Sequence, residues 1–222
     1  RPDANLEAIV PIVADAAFYN TGQSCCAVER IYVHSDIFDE FMERFLAEVR
    51  TYTVGDPMDE KTYTGPLTQK TQPAVLERQV EDAAGKGASV LAGGGRTSVA
   101  GKGNFFEPTV ITNVNHDMLV MTEESFGPII GIMAVGGDEE AVSLMNDSRY
   151  GLTASVWTED FDTAMALGPR IETGTVYMNR ADAVAPALAW TGVKDSGKGC
   201  TLSPLGFIHM TQPKSYNFRT SF

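Results

Sequence analysis

Phe18-Tyr19-Asn20-Thr21-Gly22-Gln23-Ser24-Cys25-Cys26-Ala27-Val28-Glu29-Arg30 is where one periodicity gives way to another. Upstream, Leu6, Ile9, Val10, Val13 and Ala17 recur at helical spacing, with Asp3 or Asn5 placed as the cap. Downstream, Ile31-Tyr32-Val33 reads as a strand of β-branched and aromatic residues. The stretch is therefore a helix-to-strand turn, and it carries two adjacent cysteines behind a glycine. A thiol on such a turn is exposed enough to react. Nearby backbone N–H groups can stabilise both a thiolate and the oxyanion formed when it attacks a carbonyl.

The same alternation continues outward. Ser35 or Asp36 opens a second helix whose apolar face is Phe38, Phe41, Met42, Phe45, Leu46 and Val49. After turns at Val54–Pro57 and Thr64–Leu67, the spacing predicts a helix from Thr68 to about Gly87, then a strand over Ser89–Ala92 stopped by Gly93–Gly95. Phe105–Ile111 and Pro128–Val135 read as extended. Asp138 is placed to cap a helix to about Asn146, and Asp160 one to about Leu167, with strands over Thr153–Trp157 and Thr175–Met178. Strands alternating with helices indicate an α/β fold, with a mostly parallel sheet covered by helices on both faces. Beyond Gly199 the pattern weakens, and Lys214–Arg219 reads as one last strand that pairs outside its own domain.

Composition narrows the classes. At 222 residues the chain is long enough to bury roughly 70% of its unfolded surface. A net charge of −12 argues against nucleic acid, whose phosphates need a basic partner. No run of 18 apolar residues suggests a membrane span, and no charged-then-apolar leader opens the chain. Three cysteines, two of them neighbours, make a poor disulfide framework, so a reducing compartment is expected: the cytoplasm, or alternatively the mitochondrial matrix. Arg1-Pro2-Asp3-Ala4-Asn5 has the look of a piece cut from a longer chain. The glycines Gly93–Gly95, Gly101 and Gly103 fit neither dinucleotide nor phosphate-loop spacing and read as a surface hairpin or loop. His34, His116 and His209 share no helical face, so no metal is expected, and surface or cap roles are the default.

Six ordered motifs then converge. Phe18, Asn20, Gly22, Gln23 and Cys25 fit F-x-N-x-G-Q-x-C, and Glu123 through Pro128 fits E-E-x-F-G-P. Pro108-Thr109-Val110, Asn146 with Tyr150-Gly151-Leu152, Gly174-Val176-Asn179 and Gly192-Lys194-Ser196-Gly197 follow in order. Together they resemble the catalytic half of the NAD(P)-dependent aldehyde dehydrogenase superfamily, nearly end to end.

The resemblance implies an aldehyde substrate, NAD or NADP as cofactor, and a homo-oligomer. Cys25 aligns with the nucleophile, with Cys26 as a passenger. Glu124 aligns with the carboxylate on the nicotinamide-ribose hydroxyls, and Phe126 with the aromatic beside the nicotinamide. Trp190 falls at a substrate-tunnel position and hints at an apolar or aromatic aldehyde. It serves equally as a buried core residue. The resemblance further implies a catalytic domain over residues 1–203 and a tail over 204–222 with an oligomerisation strand. The upstream half, with the general-base glutamate, an oxyanion asparagine and most of the cofactor site, is then missing, and the isolated chain is expected to be weak or inactive. The family's P-F-G-G stands here as Ala189-Trp190-Thr191-Gly192, a change in the tunnel wall. The residues alone also suit a non-catalytic assembly module or a thiol hydrolase independent of nicotinamide.

Overall fold

Asn5 caps the first helix as its position predicts: its side chain accepts the Ala8 N–H at 3.2 Å, and α1 runs Leu6–Phe18. A computed structural model describes all residues from Arg1 to Phe222. Strand β1 (Arg30–His34) leads through a short 3-10 turn into α2 (Phe38–Val49). Helix α3 (Gln72–Gly85) begins four residues later than the spacing predicts. The Thr68 N–H is engaged by the Gln23 side chain at 2.8 Å, and Pro73 is suited to a first turn rather than an interior.

Four strands follow: β2 (Ser89–Ala92), β3 (Arg96–Val99), β4 (Lys102–Phe106) and β5 (Thr109–Thr112). The β3–β4 hairpin falls where the glycines read as a surface hairpin or loop, and the extended stretch read over Phe105–Ile111 is two strands divided at Glu107–Pro108. A short helix α4 (Leu119–Thr122) precedes β6 (Ile129–Val135). Helix α5 (Asp138–Asn146) starts on Asp138 rather than after it, because that carboxylate is drawn to Arg1 at 2.6 Å. Next come β7 (Tyr150–Gly151), β8 (Thr153–Val156), α6 (Phe161–Leu167) capped by Asp160, and β9 (Thr175–Met178). Two-residue strands β10 (Trp190–Thr191), β11 (Val193–Lys194) and β12 (Cys200–Thr201) lead to α7 (Ser203–Met210).

The main sheet has the order β1-β6-β5-β2, with β1 and β5 parallel to β6 and β2 antiparallel to β5. Side chains alternate across it. Ile31, Val33, Val110, Ile130 and Ile132 face α1 and α2, while Tyr32, Ile111, Ile129 and Met133 face α3 and α4. Both faces are covered, as expected for a largely parallel sheet. Phe18 and Phe45, fully buried on the first face, contribute about 1.5–3 kcal/mol each.

One expected continuity is broken. Strands β8 and β9 pair in parallel with each other, but not with the main sheet. The unpaired edges of β1 and β8 line a cavity of about 510 Å³ between them, and Cys25 is on its wall. The smaller lobe around Val142, Val156, Leu167 and Ile171 is tied to the start of the chain. The Arg1 amine donates to the Trp157 carbonyl at 3.0 Å, and Asp3 accepts from the Thr158 hydroxyl at 2.5 Å and the Glu159 N–H at 2.9 Å.

The strand read over Lys214–Arg219 does not form in this single chain. Residues 211–222 have no regular structure and lie exposed, because no strand of the chain runs beside them to take up their N–H and C=O groups. No helix is long and apolar enough to cross a membrane.

Candidate active site

The turn before the cysteines is built from left-handed backbone. Asn20, Thr21 and Gly22 have φ of 50°, 61° and 68°, which reverses the chain within three residues. Side chains hold the reversal. Asn20 Nδ2 donates to the Gln23 carbonyl at 2.9 Å, Thr21 Oγ1 accepts the Gly65 N–H at 3.1 Å, and Gln23 accepts the Thr68 N–H. The motif residues Asn20, Gly22 and Gln23 are therefore scaffold, and they present Cys25 at the surface. Its backbone N–H has no acceptor in the chain.

Gly22 also joins the two motifs that resemblance pairs. A methyl group on it would lie 2.2 Å from the Gly127 carbonyl oxygen, so the cysteine turn and the Glu123–Pro128 loop are in direct backbone contact. That loop is held by three hydrogen bonds. Gln72 donates to the Ser125 carbonyl at 2.5 Å, and Glu29 accepts the N–H groups of Ser125 at 3.0 Å and Phe126 at 3.2 Å. Phe126 has φ +46°, and its ring is 38% exposed, unusual for so apolar a side chain. Glu124 is exposed beside it.

Glu29 was not singled out in the sequence. It looks like one more charge entering a strand, and only its two N–H partners, about a hundred residues away, reveal its role. Burial raises its pKa above the usual carboxylate range, more than the two N–H bonds lower it. The folded state therefore holds this proton to higher pH than the unfolded chain does. Stability from this group is full below about 4.5 and falls as pH rises through the folded pKa. In Glu29→Gln that part of the slope should vanish. Urea denaturation in steps from about pH 4.5 upward checks this, and identical slopes in both proteins would contradict it.

The two cysteines are not equivalent. Their Sγ atoms are 3.5 Å apart, with Cys25 exposed and Cys26 half-buried. Burial pushes the Cys26 thiol up to about 12, helped by Cys25 and the Asp182 carboxylate. A third group stands behind them. Tyr19 donates its hydroxyl to Asp182, and Tyr19 Oη lies 2.5 Å from Ser24 Oγ, which also accepts the Cys26 N–H at 3.3 Å. Tyr19 and Ser24 occupy variable positions of the cysteine motif, so motif reading passes over them. Nothing in the sequence brings Asp182 there.

Trp190 sits on the short ladder with Thr201 and makes no hydrogen bond to Cys25, Glu124 or Phe126. Gly174 accounts for that region's glycine motif: a side chain there would strike the Thr191 carbonyl at 1.6 Å. His116, expected at the surface, is instead largely enclosed, bridging Tyr32 Oη at 2.8 Å and Asp147 at 2.7 Å. The buried apolar surface of β1 leaves Tyr32 a polar tip, and the ring satisfies it.

Residues 1–216 match the model of the aldehyde dehydrogenase family. The chain belongs to that family. It is 40% identical over 210 residues to a succinate-semialdehyde dehydrogenase [NADP(+)] of Deinococcus radiodurans, covering 95% of this chain and 44% of that one. It is also 40% identical to an aldehyde dehydrogenase of Paenarthrobacter nicotinovorans, over 96% of this chain and 46% of the relative. Among solved structures, the lactaldehyde dehydrogenase of Escherichia coli superposes with a TM-score of 0.88 at 33% identity, covering 94% of this chain and 43% of that one. A 3,6-anhydro-L-galactose dehydrogenase in complex with NAP gives 0.89 at 38%, over 92% and 43%. The chain thus spans less than half the length of these family members.

Proposed function

We propose that this family member carries the catalytic cysteine of an NAD(P)-dependent aldehyde dehydrogenase, and that residues 1–203 form its catalytic domain. The observation that supports this most is the contact at Gly22, which sets an exposed Cys25, with a free backbone N–H, against the loop bearing Glu124 and Phe126.

In this reading the Cys25 thiolate attacks the aldehyde carbon, and the Cys25 N–H donates to the oxygen of the resulting thiohemiacetal. Loss of hydride leaves a thioester, and water releases the carboxylic acid and the thiol. Nicotinamide, when bound, supplies the hydride acceptor. Glu124 and Phe126 fit that group. Glu124 offers an acceptor-only carboxylate for ribose hydroxyls, and the Phe126 ring is held open to the surface by the backbone bonds of Glu29. NAD and NADP both remain in this reading, since relatives of each kind match the chain. Trp190 serves the far wall of the substrate site. Residues 204–222 serve self-association: Phe207, Ile208, Met210, Tyr216 and Phe218 are apolar or aromatic and exposed, a patch that monomers seldom leave open.

The general base and the rest of the cofactor site lie upstream in this reading. Little NADH or NADPH should therefore form from the chain alone over a panel of aldehydes. Joining it to an upstream half from a family member should restore turnover, and Cys25→Ala should remove it again. Cysteine-dependent ester hydrolysis indifferent to nicotinamide, with no NAD(P)H formed by the joined protein, would make the chain a thiol hydrolase instead.

A further inference from the structure

The carboxylate behind the thiols has no place in the chemistry just described. Asp182 takes the Tyr19 hydroxyl hydrogen, so the 2.5 Å contact between Tyr19 and Ser24 is completed by the serine's own proton. The Ser24 oxygen in turn accepts the Cys26 N–H. This short relay anchors one side of the Asp182 carboxylate to the cysteine turn. A carboxylate can accept about four hydrogen bonds, and Asp182 receives one from a side chain. It joins none of the chain's ion pairs, and Arg180, two residues earlier, makes no bond to it. Its backbone is held at φ +43°, in the left-handed region that Asp tolerates better than most residues with a side chain. The influence of Asp182 reaches Cys26: its charge is among the causes that raise that thiol, whose Sγ is 3.5 Å from that of Cys25.

We propose that Asp182, fixed by Tyr19 and Ser24 beside the thiols, selects aldehydes that carry a hydrogen-bond donor near the carbonyl, a hydroxyl or an ammonium, and rejects those that carry a carboxylate. The inference rests on Cys25 being the aldehyde nucleophile. A half-buried carboxylate with lone pairs to spare gains from a donor and loses from a second anion. Like charges a few ångströms apart repel near a protein surface, so a carboxylate-bearing aldehyde is disfavoured beside Asp182. It also separates this chain from relatives named for succinate semialdehyde, an aldehyde that is itself a carboxylate.

The test reads Cys25 directly and needs no dehydrogenase activity. The full chain is treated with cationic, neutral and anionic methanethiosulfonates of similar size, and modification at Cys25 is followed by peptide mass mapping. The cation-to-anion rate ratio should exceed that of a free thiol and fall about fivefold or more in Asp182→Asn. In a second arm, propanal, 3-hydroxypropanal, 3-aminopropanal and succinate semialdehyde protect Cys25 from alkylation as reversible thiohemiacetals. The donor-bearing pair should protect at lower concentration relative to propanal, and succinate semialdehyde at higher. Asp182→Asn should level the series, and Tyr19→Phe, which frees the carboxylate, should blunt it. The hydroxyl and ammonium members show which donor is preferred. Ratios unchanged in a folded Asp182→Asn overturn the proposal. Charge ratios that shift while no aldehyde protects Cys25 keep the wall but remove the aldehyde nucleophile, so the two failures are distinct.

Discussion

Cys25→Ala should abolish thiohemiacetal chemistry in the joined enzyme, a loss of more than about 10³-fold, while Cys26→Ala keeps most of it. The difference comes from how the turn treats two neighbouring thiols. Cys26, with its pKa pushed to about 12 by burial and by its neighbours, is thiolate to about one part in 10⁵ at pH 7. A free cysteine is thiolate to a few per cent. Since only the thiolate is a nucleophile, Cys26 should alkylate about a thousandfold more slowly than a free thiol. Iodoacetamide labelling with peptide mapping should therefore find rapid modification of the chain lost in Cys25→Ala and retained in Cys26→Ala. Rapid labelling that follows Cys26 would assign the wrong sulfur.

Gly22→Ala should be among the most damaging single methyls in the molecule. Two independent penalties meet there. The backbone at φ +68° costs a residue with a Cβ about 1–2 kcal/mol, and the methyl would stand 2.2 Å from the Gly127 carbonyl oxygen, which is backbone and has no rotamer to yield. A total near 3–5 kcal/mol is expected, a large part of the 5–15 kcal/mol that holds an ordinary domain folded. Gly87→Ala is the matched control. It has φ +96° but nothing within 4 Å, so it should lose only the conformational part, about 1 kcal/mol. Urea denaturation of both variants measures the difference, and a Gly22→Ala loss as small as that of Gly87→Ala would mean that the two loops are not pressed together.

What the chain revealed of itself beforehand was local. Asn5 and Asp160 cap helices because their short oxygens compete for nearby N–H groups, which spacing displays plainly. The burial of β6 on both faces was legible as a continuous hydrophobic run. Within the candidate site, Cys25, Glu124 and Phe126 were legible through motifs, and the contact at Gly22 explains why their two loops travel together. What was not legible depends on distance along the chain. Glu29 acquires its role from N–H groups of residues 125 and 126, and Asp182 from a tyrosine 163 positions earlier. The division of the sheet between β1 and β8 also escaped the pattern, because strand periodicity records which faces are buried and is silent about which edges are paired. Lys214–Arg219 shows the same limit: strand-forming residues do not make a strand without a neighbour.

The ties from Arg1 and Asp3 give the small lobe an unusual kind of cooperativity. The Arg1 guanidinium on Asp138 and the Asp3 carboxylate on Thr158 and Glu159 act in parallel across the same junction. Loosening any one leaves the others holding the geometry, and all must release before the lobe can swing. Although burial works against its charge, hydrogen bonds from Thr158 and Glu159 draw Asp3 down to about 2, so acid removes this tie late. The junction therefore behaves as a latch rather than a hinge. Two bodies that share no backbone ladder are joined here by side chains that work side by side.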